Sequence, residues 1–161
     1  MNSHEAPVAP APSAAEPGQA LKLRILPDAR FSRTAREELR AFAGGLGIGR
    51  SDLEEFIFAV GEALANAIEH SRSAGVIEVR CDYEGDKIVA TVIDSGDGFK
   101  INPLASVVIP DAFAERGRGL AIMRRCTDIF AVHSVPGRGT AIVLGRYVRR
   151  GRSDQEQSMA S

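Results

Sequence analysis

The sequence has few of the features that mark membrane, secreted or metal-binding chains. It contains only two cysteines among 161 residues, Cys81 and Cys126, and their separation matches no zinc or redox motif. No stretch approaches the run of about 18 apolar residues that a spanning helix needs, and the N-terminus lacks the basic-then-apolar pattern of a secretory signal. We therefore expect a cytoplasmic protein with no membrane association, whose cysteines are free thiols in a reducing compartment.

An excess of charge of one sign is also missing. The chain has 20 basic and 21 acidic residues and a formal net charge of -1. This balance removes the general electrostatic reason to expect a nucleic-acid partner or an anionic membrane. With 44% hydrophobic residues, the chain is long enough to bury the core of one domain.

The ordered part of the chain is expected to be a single α+β domain over residues 19–148. Residues 1–18 are rich in Pro and Ala, which predicts a disordered tail, and the polar residues 149–161 predict a flexible one. Between the tails, the periodicities predict a strand, two helices, a hairpin, a loop-rich segment over about 100–116, a third helix and a second hairpin. This order favours a two-layer sandwich with a mixed, mostly antiparallel sheet and helices on one face.

Capping patterns predict where the first two helices begin. Ser32 precedes a helical pattern that includes Ala35 and Leu39, so it is expected to be the N-cap of the first helix. Ser51 and Glu54 form a capping-box pattern, which is expected to open a second helix that ends near His70.

Three polar residues follow one another on the second predicted helix. Glu62, Asn66 and His70 are spaced by four, so they share one face. A carboxylate in such a position can take a proton from an attacking hydroxyl, and an amide oxygen is a suitable Mg²⁺ ligand. Taken singly, Glu62 is also typical of a paired surface acid and Asn66 of a helix-helix hydrogen bond, whereas His70 is expected to be a supporting residue.

A glycine-rich loop follows the strand that ends at Asp94. The loop contains Gly96 and Gly98, which allow the backbone to approach a ring or a phosphate without a Cβ in the way. The Asp94 carboxylate can accept a hydrogen bond from an exocyclic amine such as that of adenine. Taken alone, the same pattern is typical of a turn.

A second glycine cluster opens the third predicted helix. Gly117 and Gly119 stand where a helix N-terminus offers unpaired N–H groups to a phosphate, and Arg116 could add a charged contact. Taken alone, this cluster is typical of an ordinary helix start.

The order of these patterns resembles the motifs of the GHKL ATPases, which include gyrase and the histidine kinases. The matching motifs are Glu62-x-x-x-Asn66, Asp94-x-Gly96-x-Gly98, Gly117-x-Gly119-Leu120 and Gly139-Thr140, and they extend over about residues 20–148. Within this superfamily, the phrase Glu-Ala-x-x-Asn-Ala-x-x-His is most similar to the bacterial anti-sigma factor serine/threonine kinases.

This resemblance implies a Bergerat-type ATP-binding fold and a role for each motif residue. Glu62 would be the catalytic base and Asn66 the Mg²⁺ ligand, while Asp94 would recognise adenine. The other residues that the resemblance assigns to nucleotide binding are Gly96, Gly98, Arg116, Gly117, Gly119, Leu120 and Thr140.

The implied function is that of a Mg-ATP-dependent protein serine/threonine kinase that regulates transcription. Its substrate would be an anti-anti-sigma factor, and a homodimer would hold a sigma factor away from RNA polymerase. Two alternatives stay open, a non-catalytic nucleotide-binding partner-switch module and the detached catalytic domain of a histidine kinase. Glu69 stands where histidine kinases often have a Lys, and no helix pair with a phospho-accepting His precedes the domain, which argues against a complete sensor kinase.

Overall fold

The structure is a computed structural model that describes residues 18–71, 75–99 and 117–148. The described residues form five strands and three helices in the predicted order. Their bounds are β1 Gln19–Ile25, α1 Ala29–Gly44, α2 Arg50–His70, β2 Ile77–Tyr83, β3 Lys87–Asp94, α3 Gly117–Arg125, β4 Ile129–Val135 and β5 Gly139–Tyr147.

The strands form one sheet in the order β1-β2-β3-β5-β4, and all of its pairings are antiparallel. β5 lies between β3 and β4, so the end of β3 meets the start of β5, where Asp94 pairs with Thr140. Along β2 and β3, buried residues alternate with more exposed ones, as expected for a sheet covered on one face. The predicted α+β two-layer fold is confirmed.

α2 is the central helix of the covering layer. It contacts α1, α3, β3 and β5, and its buried residues recur through about three turns because both of its flanks are packed. The seven buried residues are Phe56, Ile57, Ala59, Val60, Ala63, Leu64 and Ala67. The core is completed by α1, by the covered sheet face and by Met123 of α3.

Both predicted helix starts are wrong by a few residues. Asp28, not Ser32, is the N-cap of α1: its backbone is extended and its carboxylate accepts the Arg30 N–H at 2.9 Å. Asp28 also pairs with the Arg30 side chain at 2.7 Å, so it satisfies the helix start before the chain reaches Ser32.

The predicted capping box is not formed in α2. The helix begins at Arg50 after Gly49, which makes no side-chain cap bond. The Leu53 N–H already bonds the Gly49 carbonyl at 2.9 Å. Ser51 therefore lies inside the first turn, where its backbone is helical and it cannot serve as the extended cap residue.

Other predictions of local structure are confirmed where the structure describes them. Both hairpins form, and β1 ends before Pro27. Cys81 and Cys126 are free, and burial, together with the neighbouring Asp82 charge, raises the pKa of the Cys81 thiol to about 12. None of the described helices is long and apolar enough to cross a membrane. Residues 1–17, 100–116 and 149–161, on which the predicted tails and the loop-rich segment fall, lie outside the described residues.

Candidate functional site

A cavity of about 270 Å³ lies at the end of the sheet where β3 meets β5, bounded also by α2 and α3. Five of the predicted nucleotide-binding residues line it, namely Asn66, Asp94, Gly98, Leu120 and Thr140. Its other lining residues are Glu69, His70, Ser71, Asp97, Phe99 and Ile142. The fold therefore brings residues of all four motifs, which are distant in sequence, to one cavity.

Asp94 is the most buried acid of this cavity, with 8% of its surface exposed. Its Oδ1 accepts the Gly96 N–H at 2.8 Å. Burial raises the pKa of the Asp94 carboxyl, although the backbone N–H groups of Gly96 and Thr140 and the nearby His70 act in the opposite direction. A buried acceptor that lines a cavity is suited to bind a polar hydrogen of a ligand.

The two glycines of the loop after β3 are required by close backbone contacts. A Cβ on Gly96 would collide with the His70 carbonyl at the end of α2. Gly98 has a left-handed φ of +62°, and a Cβ there would collide with the Val135 carbonyl and lie 3.0 Å from the Gly139 carbonyl. These contacts seat the loop between α2 and the β4–β5 hairpin, with no room for side chains at either position.

Ser134 is a site residue that the sequence reasoning missed. Its Oγ accepts the Phe99 N–H at 2.8 Å and lies 2.9 Å from Thr140 Oγ1. Beside it, the Gly137 N–H donates to the Asp97 carbonyl at 2.6 Å. The β4–β5 hairpin thus holds the loop in place. Counting residue pairs outward from the predicted hairpin turn places Ser134 opposite Thr140. A hydroxyl facing the hydroxyl of a motif residue is the sequence signal that could have identified Ser134.

The start of α3 packs against the polar face of α2. A Cβ on Gly119 would lie 3.4 Å from Glu62 Oε2 and 3.5 Å from both terminal atoms of the Asn66 amide. The first N–H groups of a helix have no acceptor within it, so this turn of α3 presents unpaired donors next to Glu62 and Asn66. Gly117 is the first residue of α3, whereas Arg116 lies outside the described residues.

Two buried polar atoms in the cavity wall have no hydrogen-bond partner within the described parts of the chain. They are His70 Nε2 and Ser71 Oγ. Buried polar groups are normally paired, so a polar ligand would complete this wall. His70, expected to be a supporting residue, is thus part of the cavity itself. Glu69 is also at the cavity, with 70% of its side chain exposed and its Oε2 3.7 Å from His70 Nε2.

A second hollow of about 440 Å³ lies between α1 and α2, and Glu62 is one of its lining residues. The others are Ala29, Ser32, Arg36, Phe58, Gly61, Ala65, Ile68 and Glu69. We call it the α1–α2 groove. Since Glu62 lines this groove and also reaches Gly119, its carboxylate stands between the groove and the Asn66 side of the cavity.

The arrangement fits a Mg²⁺-nucleotide. The glycine-containing loop beside Asp94 suits a base, and the first turn of α3 suits phosphates. Among the described residues, no cluster of three His, Cys, Asp or Glu side chains could bind a metal by itself. Mg²⁺ does not need such a cluster, because it is commonly bound by one or two protein oxygens together with substrate phosphates and water.

Comparison with known proteins identifies a matching family and several similar proteins. The family described as the histidine kinase-like ATPase domain matches residues 26–145. An anti-sigma F factor from Caldanaerobacter subterraneus subsp. tengcongensis is 30% identical over 139 residues, which cover 82% of this chain and 96% of that protein. The serine-protein kinase RsbW of Staphylococcus aureus is 26% identical over 141 residues, which cover 81% of this chain and 87% of that protein.

A solved structure gives the same fold. The RsbU and RsbW domains of a Mycobacterium tuberculosis protein superpose on this chain with a TM-score of 0.63 at 24% identity. The match covers 83% of this chain and 33% of the other one.

Proposed function

The chain belongs to the histidine kinase-like ATPase family, in its branch of anti-sigma factor serine/threonine kinases, and on this premise we propose how its site works and on what. We propose that it transfers the γ-phosphoryl group of Mg-ATP to a serine or threonine of an anti-anti-sigma factor. The observation that carries the proposal is the meeting of Glu62 and Asn66 at Gly119, beside a cavity that also contains Asp94.

The Asp94 side of the cavity is the proposed adenine site. The buried Asp94 carboxylate would accept a hydrogen from the exocyclic amine, and Thr140 lies beside it across the β3–β5 pairing. Gly96 and Gly98 would shape this pocket, since their contacts with α2 and with the hairpin keep the loop close to the base. Phe99 and Ile142 supply apolar surface to the same cavity, as a purine ring requires.

The opposite side, at the start of α3, is the proposed phosphate site. The unpaired N–H groups of the first turn would bind phosphate oxygens, and Gly119 lets that turn approach Asn66 closely. Asn66 would provide one oxygen ligand to Mg²⁺. When bound, the ion would neutralise phosphate charge during transfer. Gly117, Leu120 and Arg116 complete the proposed nucleotide-binding set.

Glu62 is the proposed general base. Its carboxylate lines the α1–α2 groove as well as meeting Gly119, so a hydroxyl that arrives along the groove would reach the base and the phosphate side together. Taking the proton as the hydroxyl attacks is the step that a carboxylate at this position can perform. The groove offers apolar surface at Phe58, which is 51% exposed, and a cation at Arg36.

We further propose that the same domain binds a sigma factor and acts as a homodimer. The support for the sigma factor is the name of the relative that is 30% identical, an anti-sigma F factor. Purification of the tagged chain from its native cells, followed by mass spectrometry and light scattering, tests both points. Recovery of a sigma subunit and the mass of a dimer are the expected results. A monomer that enriches no sigma subunit would refute both points.

The kinase proposal is tested by incubating the chain with γ-labelled ATP, Mg²⁺ and candidate anti-anti-sigma proteins from the same cells. Acid-stable label on a serine or threonine of one of these proteins is the expected result. Acid-labile label on a histidine would instead favour a detached histidine kinase domain. ATP binding without transfer would favour a partner-switch module that senses nucleotide without turnover.

A further inference from the structure

Arg146 joins three elements at the end of α2 that is far from the cavity. Its guanidinium donates from Nε and Nη2 to Asp52 Oδ1 at 3.0 and 2.5 Å and from Nη1 to Glu55 Oε2 at 2.5 Å. Nη1 also donates to the Cys126 carbonyl at 2.8 Å, just beyond the last residue of α3. Arg146 belongs to β5, so one side chain connects β5, the start of α2 and the end of α3.

This contact differs from the other ion pairs of the described chain. Only 17% of the Arg146 side chain is exposed, and 22% of that of Asp52. The Arg40–Glu54 pair, which joins α1 to α2, is 45% and 53% exposed. Exposed pairs contribute little because water and salt screen them, whereas a shielded arginine with several fixed acceptors imposes one geometry.

α3 packs along α2, and the turn after it bonds to β5 through the Asp128 N–H and the Gly145 carbonyl at 2.9 Å. It contains nine residues, of which Met123 is fully buried and Leu120 partly so. α3 runs antiparallel to α2, because its start lies at Glu62 and Asn66 while its end is tied through Arg146 to Asp52 and Glu55. α3 is therefore held against α2 at both ends, and Arg146 is one of the contacts that hold the end away from the cavity.

We propose that Arg146 is a positioning residue for nucleotide: by anchoring the end of α3 to the start of α2, it determines where the first turn of α3 stands over Asn66 and Glu62. The inference rests on the proposed ATP site. Seven residues of helix separate Gly119 from Cys126, a lever of about 10 Å. A tilt of roughly 10° about the anchored end would move the first turn by about 2 Å, and displacements of about 1 Å can cost ~100-fold in a reaction that depends on alignment.

The test compares ATP with adenosine, because adenosine has the base and ribose but no phosphates. Calorimetric titration of Arg146→Ala with Mg-ATP should show an affinity about tenfold weaker or more, since phosphate contacts depend on alignment, while adenosine affinity stays within about twofold of the wild type. A general loss of structure would lower the affinities for ATP and for adenosine together. Arg146→Lys, which keeps the charge but not the planar fork, should give an intermediate loss for ATP alone.

Arg40→Ala is the matched control, because it removes an arginine–glutamate link to the same part of α2 without touching α3. Arg40→Ala should change neither the affinity for ATP nor that for adenosine. If Arg146→Ala fails to fold, Asp52→Asn weakens the same contact more gently and should give a smaller loss in the same direction. Equal losses for ATP and adenosine, or no loss for ATP in a folded Arg146 variant, would overturn the proposal.

Hydrogen exchange provides a readout that does not depend on nucleotide. In the free protein, Arg146→Ala should accelerate amide exchange in α3 and Arg40→Ala should not, because Arg146 contacts the end of that helix and Arg40 does not. Unchanged exchange in α3 would also overturn the proposal. A wild-type chain that binds ATP but phosphorylates nothing would refute the kinase function. The comparison of ATP and adenosine affinities between the Arg146 variants and the wild type would still test the role of Arg146.

Discussion

Replacing Gly98 by alanine tests whether the loop after β3 is seated against the β4–β5 hairpin. The residue has a left-handed φ of +62°, which costs a residue with a Cβ roughly 1–2 kcal/mol. The added Cβ would also collide with the Val135 carbonyl. Forcing a methyl group into packed structure typically costs about 1–3 kcal/mol more. The expected loss of unfolding free energy is therefore about 2–5 kcal/mol.

Gly137→Ala separates the two contributions. Gly137 has a similar φ of +78°, but no described heavy atom lies within 4 Å of a Cβ placed there. Its N–H bond to the Asp97 carbonyl would remain. This variant should lose only the conformational part, about 1–2 kcal/mol.

The assay is denaturant unfolding of both variants and the wild type, with slopes compared to confirm that the same transition is measured. ATP titration on the folded variants should show weaker binding for Gly98→Ala, because its loop lines the proposed adenine pocket. Equal stability losses for Gly98→Ala and Gly137→Ala would refute the packing of the loop against the hairpin.

Other predictions concern the two sides of the site. Asp94→Asn should fold but bind ATP about tenfold more weakly, because an amide nitrogen can replace an acceptor where the adenine amine donates; unchanged affinity in calorimetry would contradict the adenine assignment. Because burial raises the pKa of Asp94, its stabilising contribution is fully present below the unfolded pKa and lost as the pH rises through the folded pKa. The wild type should therefore gain stability relative to Asp94→Asn as the pH is lowered from neutral. Denaturant unfolding of both proteins across that pH range measures the difference. A difference in unfolding free energy that does not change with pH would exclude the titration of Asp94 as its source. Phe58→Glu in the α1–α2 groove should raise the KM for the protein substrate and leave ATP affinity unchanged, whereas Tyr147→Glu, at an aromatic position with a similar exposure of 50%, should change neither; equal effects of the two variants would argue against docking in the groove.

Periodicity and motif spacing predict the layers of this fold and five of the eleven residues that line the cavity. α2 is recognisable because apolar residues recur at helical spacing between Leu53 and Ile68, and Asp94 because a strand ends where glycines begin. Both signals are local in sequence. The sheet order places β5 beside β3 and so brings Asp94 to Thr140; this order depends on how the two hairpins meet, which the local pattern does not specify.

Features that depend on competing local contacts or on distant partners are not predictable in this way. Ser32 is a good cap residue, but Asp28 forms the cap first because Arg30 is close enough to pair with it. Arg146 looks like an ordinary charged residue near the end of a strand, and only the fold places it against Asp52 and Glu55, more than 90 residues earlier. Ser134 can be paired with Thr140 by counting the hairpin register, but its bond to the Phe99 N–H depends on where the loop after β3 lies.

Glu69 illustrates how exposure decides the effect of a charge. Its carboxylate lines the cavity, where it would repel phosphate, but 70% of the side chain is exposed. Water and salt screen such a charge strongly, so its presence is compatible with the proposed nucleotide site.

The central claim is that Glu62 takes the proton of the attacking hydroxyl, and Glu62→Gln tests it most directly. The substitution keeps the size of the side chain that packs against Gly119 and removes its basicity. Single-turnover transfer from γ-labelled ATP to the anti-anti-sigma protein should fall by about 100–10,000-fold, the usual contribution of a general base, with ATP affinity unchanged in calorimetry. Transfer at the wild-type rate by the folded, ATP-bound Gln variant would contradict the claim.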